Sequence, residues 1–304
     1  MKMKVKKIFI LLFFFKIVVM QTIPYFDADK AFLYLEKQCD FGPRYPGSDG
    51  HLDFKNYLNE FLSDKGDTLI LYEHIIKHPY ANYDIPLYNF LIRFNLESKN
   101  RILFMAHWDT REIADQDEDK NNHVLPILGA NDGASGVALL MVLTEILDKN
   151  SLNTIGIDVL FVDGEDLGRP GEIENYCLGT SKFCERLPNP IPNYAICIDM
   201  IADHNPEFLI EPYSWEQAPF LVQSIWGLAN DLGYTEFKTE FYQTYIYDDH
   251  RRLYLDSYIP AIDIIDFDYP YWHTLKDTPE NCSSRGLKIV GNVLSEFIYR
   301  LDNE

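Results

Sequence analysis

Apolar runs that stop at an acidic residue or a histidine constrain this chain more than any other feature. Arg101 to Ala106 stops at His107, and Tyr194 to Ile198 stops at Asp199. Ile157 to Val162, broken only by Asp158, stops at Asp163-Gly164, and Pro260 to Ile265 is interrupted by Asp263. Short apolar runs bounded by turn residues read as buried strands. Between them lie helical periods. In Ser135 to Leu147, residues Val137, Leu140, Met141, Thr144 and Leu147 share a face. Ala218 to Leu232 is closed by Gly233, and Leu287 to Leu301 ends the chain's regular structure. Upstream, Ala28 to Glu36 and Phe54 to Leu62 read as helices, with strands at Thr68 to Ile76 and Leu87 to Phe94. Strands alternating with helices predict an α/β sandwich with helices on both faces. In such sheets ligands bind just past the carboxyl ends of the strands, where the acidic residues fall.

Bulk properties exclude some functions. The 304 residues carry 27 basic and 47 acidic side chains, a formal charge of -20. A phosphate backbone needs basic stripes, so no nucleic-acid partner is expected. The charge favours solubility and would attract a cationic ligand such as a peptide amino terminus. Lysines followed by the apolar run Ile8 to Phe15 read as a secretory signal or amino-terminal anchor over residues 1–22. Lys16 interrupts the run and no clear cleavage site follows. The expected division is therefore this segment and one catalytic domain over residues 23–304, exported to the periplasm or beyond. Any membrane contact would run through the amino-terminal segment alone. The five cysteines contain no CxxC pair, which argues against a cysteine zinc site.

The chemistry-bearing residues lie at the ends of these elements. His107 and Asp109 point to one side of an extended chain, so the carboxylate can fix the imidazole. Asp132 lies in GANDGASG, at the start of the helix beginning at Ser135. It reads either as a ligand or as that helix's cap. Glu165 and Asp166 leave the strand Ile157 to Val162 in the string DGED, so one carboxylate can face a metal and the other a substrate. Asp248 and Asp249 precede His250 in a segment read as a loop, and His273 sits in DYPYWHT beside Trp272. Singly, each has a plain alternative: a cap, a solvated acidic loop, a packed histidine. Together they amount to three ligand-type groups plus a spare carboxylate, the minimum for metal-assisted acyl chemistry.

These residues carry a resemblance. AHWDTR (Ala106 to Arg111), ILGANDGASGVALL (Ile127 to Leu140), DGED, DDH (Asp248 to His250), IPAIDIID (Ile259 to Asp266) and WHTLKDT (Trp272 to Thr278) resemble glutaminyl cyclase of the bacterial type, a branch of the zinc aminopeptidase superfamily. GPRYPGS (Gly42 to Ser48) fits as well. The resemblance implies a three-layer α/β sandwich with a central mixed, mostly parallel sheet. It implies one zinc ion held by Asp132, Asp166 and His273. It implies Glu165 as general acid and base, with Asp199 and Asp248 in its hydrogen-bond network. Trp272 and Trp108 would line the substrate pocket. The implied substrates are peptides or proteins with amino-terminal glutamine, closed to pyroglutamate with loss of ammonia. Two departures stand out: Asp263 replaces a histidine of the animal enzymes, and Asp166 is shorter than the glutamate of many relatives.

Two other readings compete. In a two-zinc aminopeptidase, His107 and Asp199 would hold a second metal with Asp132 bridging. An exported binding module that lost catalysis is disfavoured because every reactive carboxylate is present.

Overall fold

A computed structural model describes residues 22–303. The predicted signal or anchor lies almost wholly outside them. Among the described residues no helix is long and apolar enough to cross a membrane.

The described residues hold eight strands and eight α-helices, in the order α1 Ala28–Cys39, α2 Asp49–Leu62, β1 Thr68–Lys77, β2 Asp84–Phe94, β3 Arg101–His107, α3 Ala134–Lys149, β4 Gly156–Val162, α4 Leu178–Cys184, β5 Tyr194–Asp199, β6 Phe208–Ile210, α5 Pro212–Gln217, α6 Pro219–Asp231, β7 Phe237–Phe241, α7 Asp249–Ser257, β8 Ala261–Ile265 and α8 Ser284–Asp302. Six strands form the main sheet in the order β1-β2-β4-β3-β5-β8. β1, β2 and β4 pair antiparallel, while β4, β3, β5 and β8 run parallel. The mixed sheet expected from the resemblance is present. β6 and β7 form a separate two-stranded sheet, which the sequence reading does not find because β6 is only three residues long and β7 is broken by Lys238, Thr239 and Glu240.

Alternation along the central strands divides the core. Phe90 and Ile92, Phe104 and Ala106, Val159 and Phe161, and Ile196 and Ile198 face one side, packed with α1, α2, α3, α6 and α8. Leu91, Leu103, Met105, Leu160, Val162 and Cys197 face the other, towards Phe183 of α4 and Leu253 of α7. Strands buried on both faces read as continuous apolar runs, as these do. The one charge in β4 is neutralised within the core. Asp158 accepts from Arg93 Nε at 2.8 Å and from Arg101 Nη2 at 2.6 Å, all three side chains being buried.

The sequence reading is corrected at α7. The segment after Asp248 is a helix, not a loop, and Asp248 is its N-cap. Its charged surface (mostly polar, with Leu253 buried) hid the helical period.

Candidate active site

The parallel strands deliver their carboxyl ends to one edge of the sheet. His107 closes β3, Asp199 closes β5, the loop after β4 presents Glu165 and Asp166, and the loop after β8 presents Trp272 and His273. Asp132 arrives from the turn before α3. The N-cap of that helix is Gly133 and makes no side-chain capping bond, so Asp132 is not spent as a cap. Two glycines shape this turn. Gly129 has φ +62°, where a side chain is strained, and a Cβ on Gly133 would stand 2.3 Å from the His107 carbonyl oxygen.

Two carboxylates, Asp109 and Asp277, hold these loops by their backbones. Asp109 accepts from the N–H groups of Glu165 and Asp166, each at 3.1 Å. Asp277 accepts from the N–H groups of Asn131 and Asp132 at 2.8 and 3.1 Å. Asp109 therefore does more than fix His107, which it meets at 3.5 Å as the i, i+2 spacing predicted. Asp277 lay in the WHTLKDT string, but its partner is more than a hundred residues away, so no local pattern reveals it.

Asp132, Asp166 and His273 form one buried group with ligand atoms close enough to share a cation. His273 Nε2 stands 3.5 Å from Asp132 Oδ2 and 3.4 Å from Asp166 Oδ1. Asp132 Oδ2 and Asp166 Oδ2 are buried and accept no hydrogen bond. Orphaned buried carboxylate oxygens beside an imidazole fit the oxygen and nitrogen donors that zinc takes. His107, Asp132 and Asp199 form a second such group, with His107 Nε2 at 3.2 Å from Asp132 and 3.3 Å from Asp199. Burial disfavours a charged His107, but Asp109, Asp132 and Asp199 outweigh it and hold the imidazole well above its usual range.

Glu165 borders both groups and is 8% exposed. Burial first, then Asp166 and Asp248, push its carboxyl well above the usual range, against the pull of His107. The Cys177 thiol lies 3.4 Å from its Oε1. Asp248 belongs to the same group as Glu165 and Cys177. Behind it Asp263 is buried and pushed well up by burial and by Asp248, so it favours the neutral acid. Asp199 is pushed up to about 7 by burial, with His107 opposing.

A small cavity opens over these residues. Ile246, Ile265, Phe267 and Trp272 wall it, and Glu165, Asp248 and Asp199 line its floor. Trp272 stacks on His273 with ring centroids 3.9 Å apart. Trp108 is not there. It is fully buried, stacks on His51 at 4.5 Å and donates from Nε1 to the Tyr88 carbonyl at 3.0 Å. The expectation that it lines the pocket is therefore corrected. At the position after His107 the chain has turned, and the indole falls on the α1/α2 side of the sheet with Phe54. All five cysteines are free thiols.

The model of peptidase family M28 matches residues 89–298. Among solved structures, the chain is similar to Bacteroides thetaiotaomicron glutaminyl cyclase bound to N-acetylhistamine, at 36% identity over 91% of this chain and 99% of that one, with a TM-score of 0.86. It is also similar to a zinc-dependent exopeptidase from Parabacteroides distasonis, at 34% identity, 91% and 99% coverage and a TM-score of 0.87. A leucine aminopeptidase precursor from Bacteroides thetaiotaomicron is similar at 36% identity, 91% and 98% coverage and a TM-score of 0.87. No curated protein matches. The metal-ligand chemistry at the strand ends and these similarities lead to one identification: the chain belongs to peptidase family M28, in the zinc aminopeptidase superfamily that includes the bacterial glutaminyl cyclases.

Proposed function

We propose that this protein converts amino-terminal glutamine of peptides or proteins to pyroglutamate, using one zinc ion held by Asp132, Asp166 and His273. The observation that carries the reading is Glu165, buried against Asp248 under an apolar wall that includes Trp272. A group that takes a proton and returns it works best when its pKa lies near the working pH, and burial beside carboxylates moves Glu165 upward.

When bound, zinc supplies a Lewis acid that polarises the side-chain carbonyl of the substrate glutamine. Glu165 accepts a proton from the substrate's α-amino nitrogen. That nitrogen bonds to the side-chain carbonyl carbon, and the carbon–amide nitrogen bond breaks. Glu165 returns the proton to the departing nitrogen, which leaves as ammonia. Asp248 keeps the proton on Glu165 between these events by its charge, and Asp199 lines the same cavity beside them. Trp272, Phe267, Ile246 and Ile265 hold the flat side chain and exclude water, which would otherwise compete for the carbonyl. Attack within one molecule gains most from such confinement. The basic, apolar leader-like segment at the amino terminus supports action outside the cytoplasm.

A second reading is favoured by the group of His107, Asp132 and Asp199. It could hold another cation, as a two-zinc aminopeptidase requires. The products separate the two. Incubation with paired peptides that begin with glutamine or leucine should give ammonia and a blocked peptide from the first and nothing from the second. Release of a free amino-terminal residue from both, without ammonia, would reverse the assignment.

A further inference from the structure

The acidic loop after β3 reaches into the ligand shell. Asp115 lies at its start, with its side chain only 13% exposed. Its two oxygens take the Arg111 guanidinium in a fork, Nε to Oδ1 at 2.7 Å and Nη2 to Oδ2 at 2.9 Å. The third nitrogen of the same guanidinium, Nη1, donates to Asp166 Oδ1 at 2.6 Å. Asp115 Oδ1 also stands 3.2 Å from His273 Nδ1, the ring nitrogen turned away from Asp132. The geometry there is that of an ion pair rather than an aligned hydrogen bond, since Nδ1 has no hydrogen-bond partner. The loop backbone closes on the same histidine: Gln116 N–H donates to the His273 carbonyl at 3.2 Å, and Asp117 accepts from Leu275 N–H at 3.0 Å.

We propose that Asp115 and Arg111 form a clamp that positions two of the three zinc ligands at once, Asp166 through the guanidinium and His273 through Nδ1. This inference rests on the ligand assignment above. The clamp offers a physical answer to the short arm of Asp166. A forked carboxylate–guanidinium pair is rigid. It holds Asp166 by Oδ1, beside His273 Nε2, and leaves Oδ2 without a hydrogen bond. At His273 the carboxylate 3.2 Å from Nδ1 favours a proton on that nitrogen, so that Nε2 is the one turned to the cation. Because one carboxylate serves both arms, its loss loosens both ligands together. Asp115 and Arg111 are positioning residues, since neither lines the cavity.

The test is zinc affinity of the full chain, measured by competition with a chromophoric chelator, together with the visible spectrum of the cobalt-substituted protein. Partners that hold metal ligands contribute about 10–100-fold to affinity. Asp115→Ala should therefore weaken zinc by about that factor and alter the cobalt bands. Asp115→Asn, which keeps the shape and one acceptor oxygen but turns the other arm of the fork into a donor, should recover only a small part of the loss. Arg111→Lys, which cannot fork, should weaken zinc while leaving the His273 contact in place. Far-ultraviolet circular dichroism of the metal-free proteins checks the fold, and if the alanine variant does not fold, the Asn and Lys variants decide. Unchanged affinity and an unchanged cobalt spectrum in the folded variants would overturn the clamp. His273→Ala is the separate control: if it keeps zinc at wild-type affinity, the ligand assignment has failed; if it loses zinc while the Asp115 and Arg111 variants do not, only the clamp has failed.

Discussion

Replacing Glu165 by glutamine removes the one group assigned to carry the proton and changes little else. The side chain keeps its length and shape, and the site is 8% exposed, so bulk water has poor access to take over. A positioned general acid or base contributes roughly 10²–10⁴-fold, which corresponds to about 3–5.5 kcal/mol of barrier. Asp248 shares the acidic group with Glu165 and is the carboxylate outside the ligand set that could substitute, so it sets the lower end of that range. The loss should fall on kcat. KM should stay within about threefold, because glutamine preserves the volume and the ground-state contacts. The assay is ammonia release from a glutaminyl peptide, coupled to a reductive amination that consumes it, with zinc content measured on the same preparation. Zinc should stay bound, since Asp132, Asp166 and His273 are untouched. A loss smaller than about tenfold in a zinc-loaded variant would refute Glu165 as the proton carrier.

The two tryptophans should separate stability from binding. Trp272→Ala should raise KM about tenfold or more through the loss of roughly 1.5 kcal/mol of apolar contact. Trp108→Ala should cost about 3–5 kcal/mol of stability by urea unfolding and leave KM unchanged; the reverse pattern would restore Trp108 to the pocket. Asp158→Ala leaves the guanidinium groups of Arg93 and Arg101 buried without their shared partner, and should cost about 3–5 kcal/mol in the same measurement. Asp263 holds its proton more tightly in the folded protein than in the unfolded chain. The wild type should therefore lose stability as pH rises above the ordinary carboxylate range, because the unfolded state releases that proton first. Asp263→Asn, permanently neutral, escapes this loss, so its thermal midpoint relative to wild type should rise as pH climbs above the ordinary carboxylate range. A difference independent of pH would mean Asp263 is ionised in the fold.

Much of the fold was legible because the central strands are buried on both faces. The runs at Arg101, Ile157, Tyr194 and Pro260 could hardly be anything else, and all four are strands within one or two residues. Elements whose burial depends on distant partners were harder to see. α7 carries mostly polar residues and reads as a loop, and β6 and β7 are too short to show a period. The ligand-type residues were found because each sits next to glycine, tryptophan or another acid in a recognisable string. Asp109, Asp115 and Asp277 act on backbone or side chains far along the chain, so only the folded geometry assigns them. Trp108 was misplaced for the opposite reason: its neighbours in sequence belong to the site, but its own direction is set by the turn after β3.

The central claim is that Asp132, Asp166 and His273 converge on one cation beside Glu165. Metal analysis of the purified protein, wild type against Asp132→Ala, tests it most directly. About one zinc per chain in the wild type and almost none in a variant with an unchanged circular dichroism spectrum is the predicted result. Equal zinc in both proteins would contradict the account.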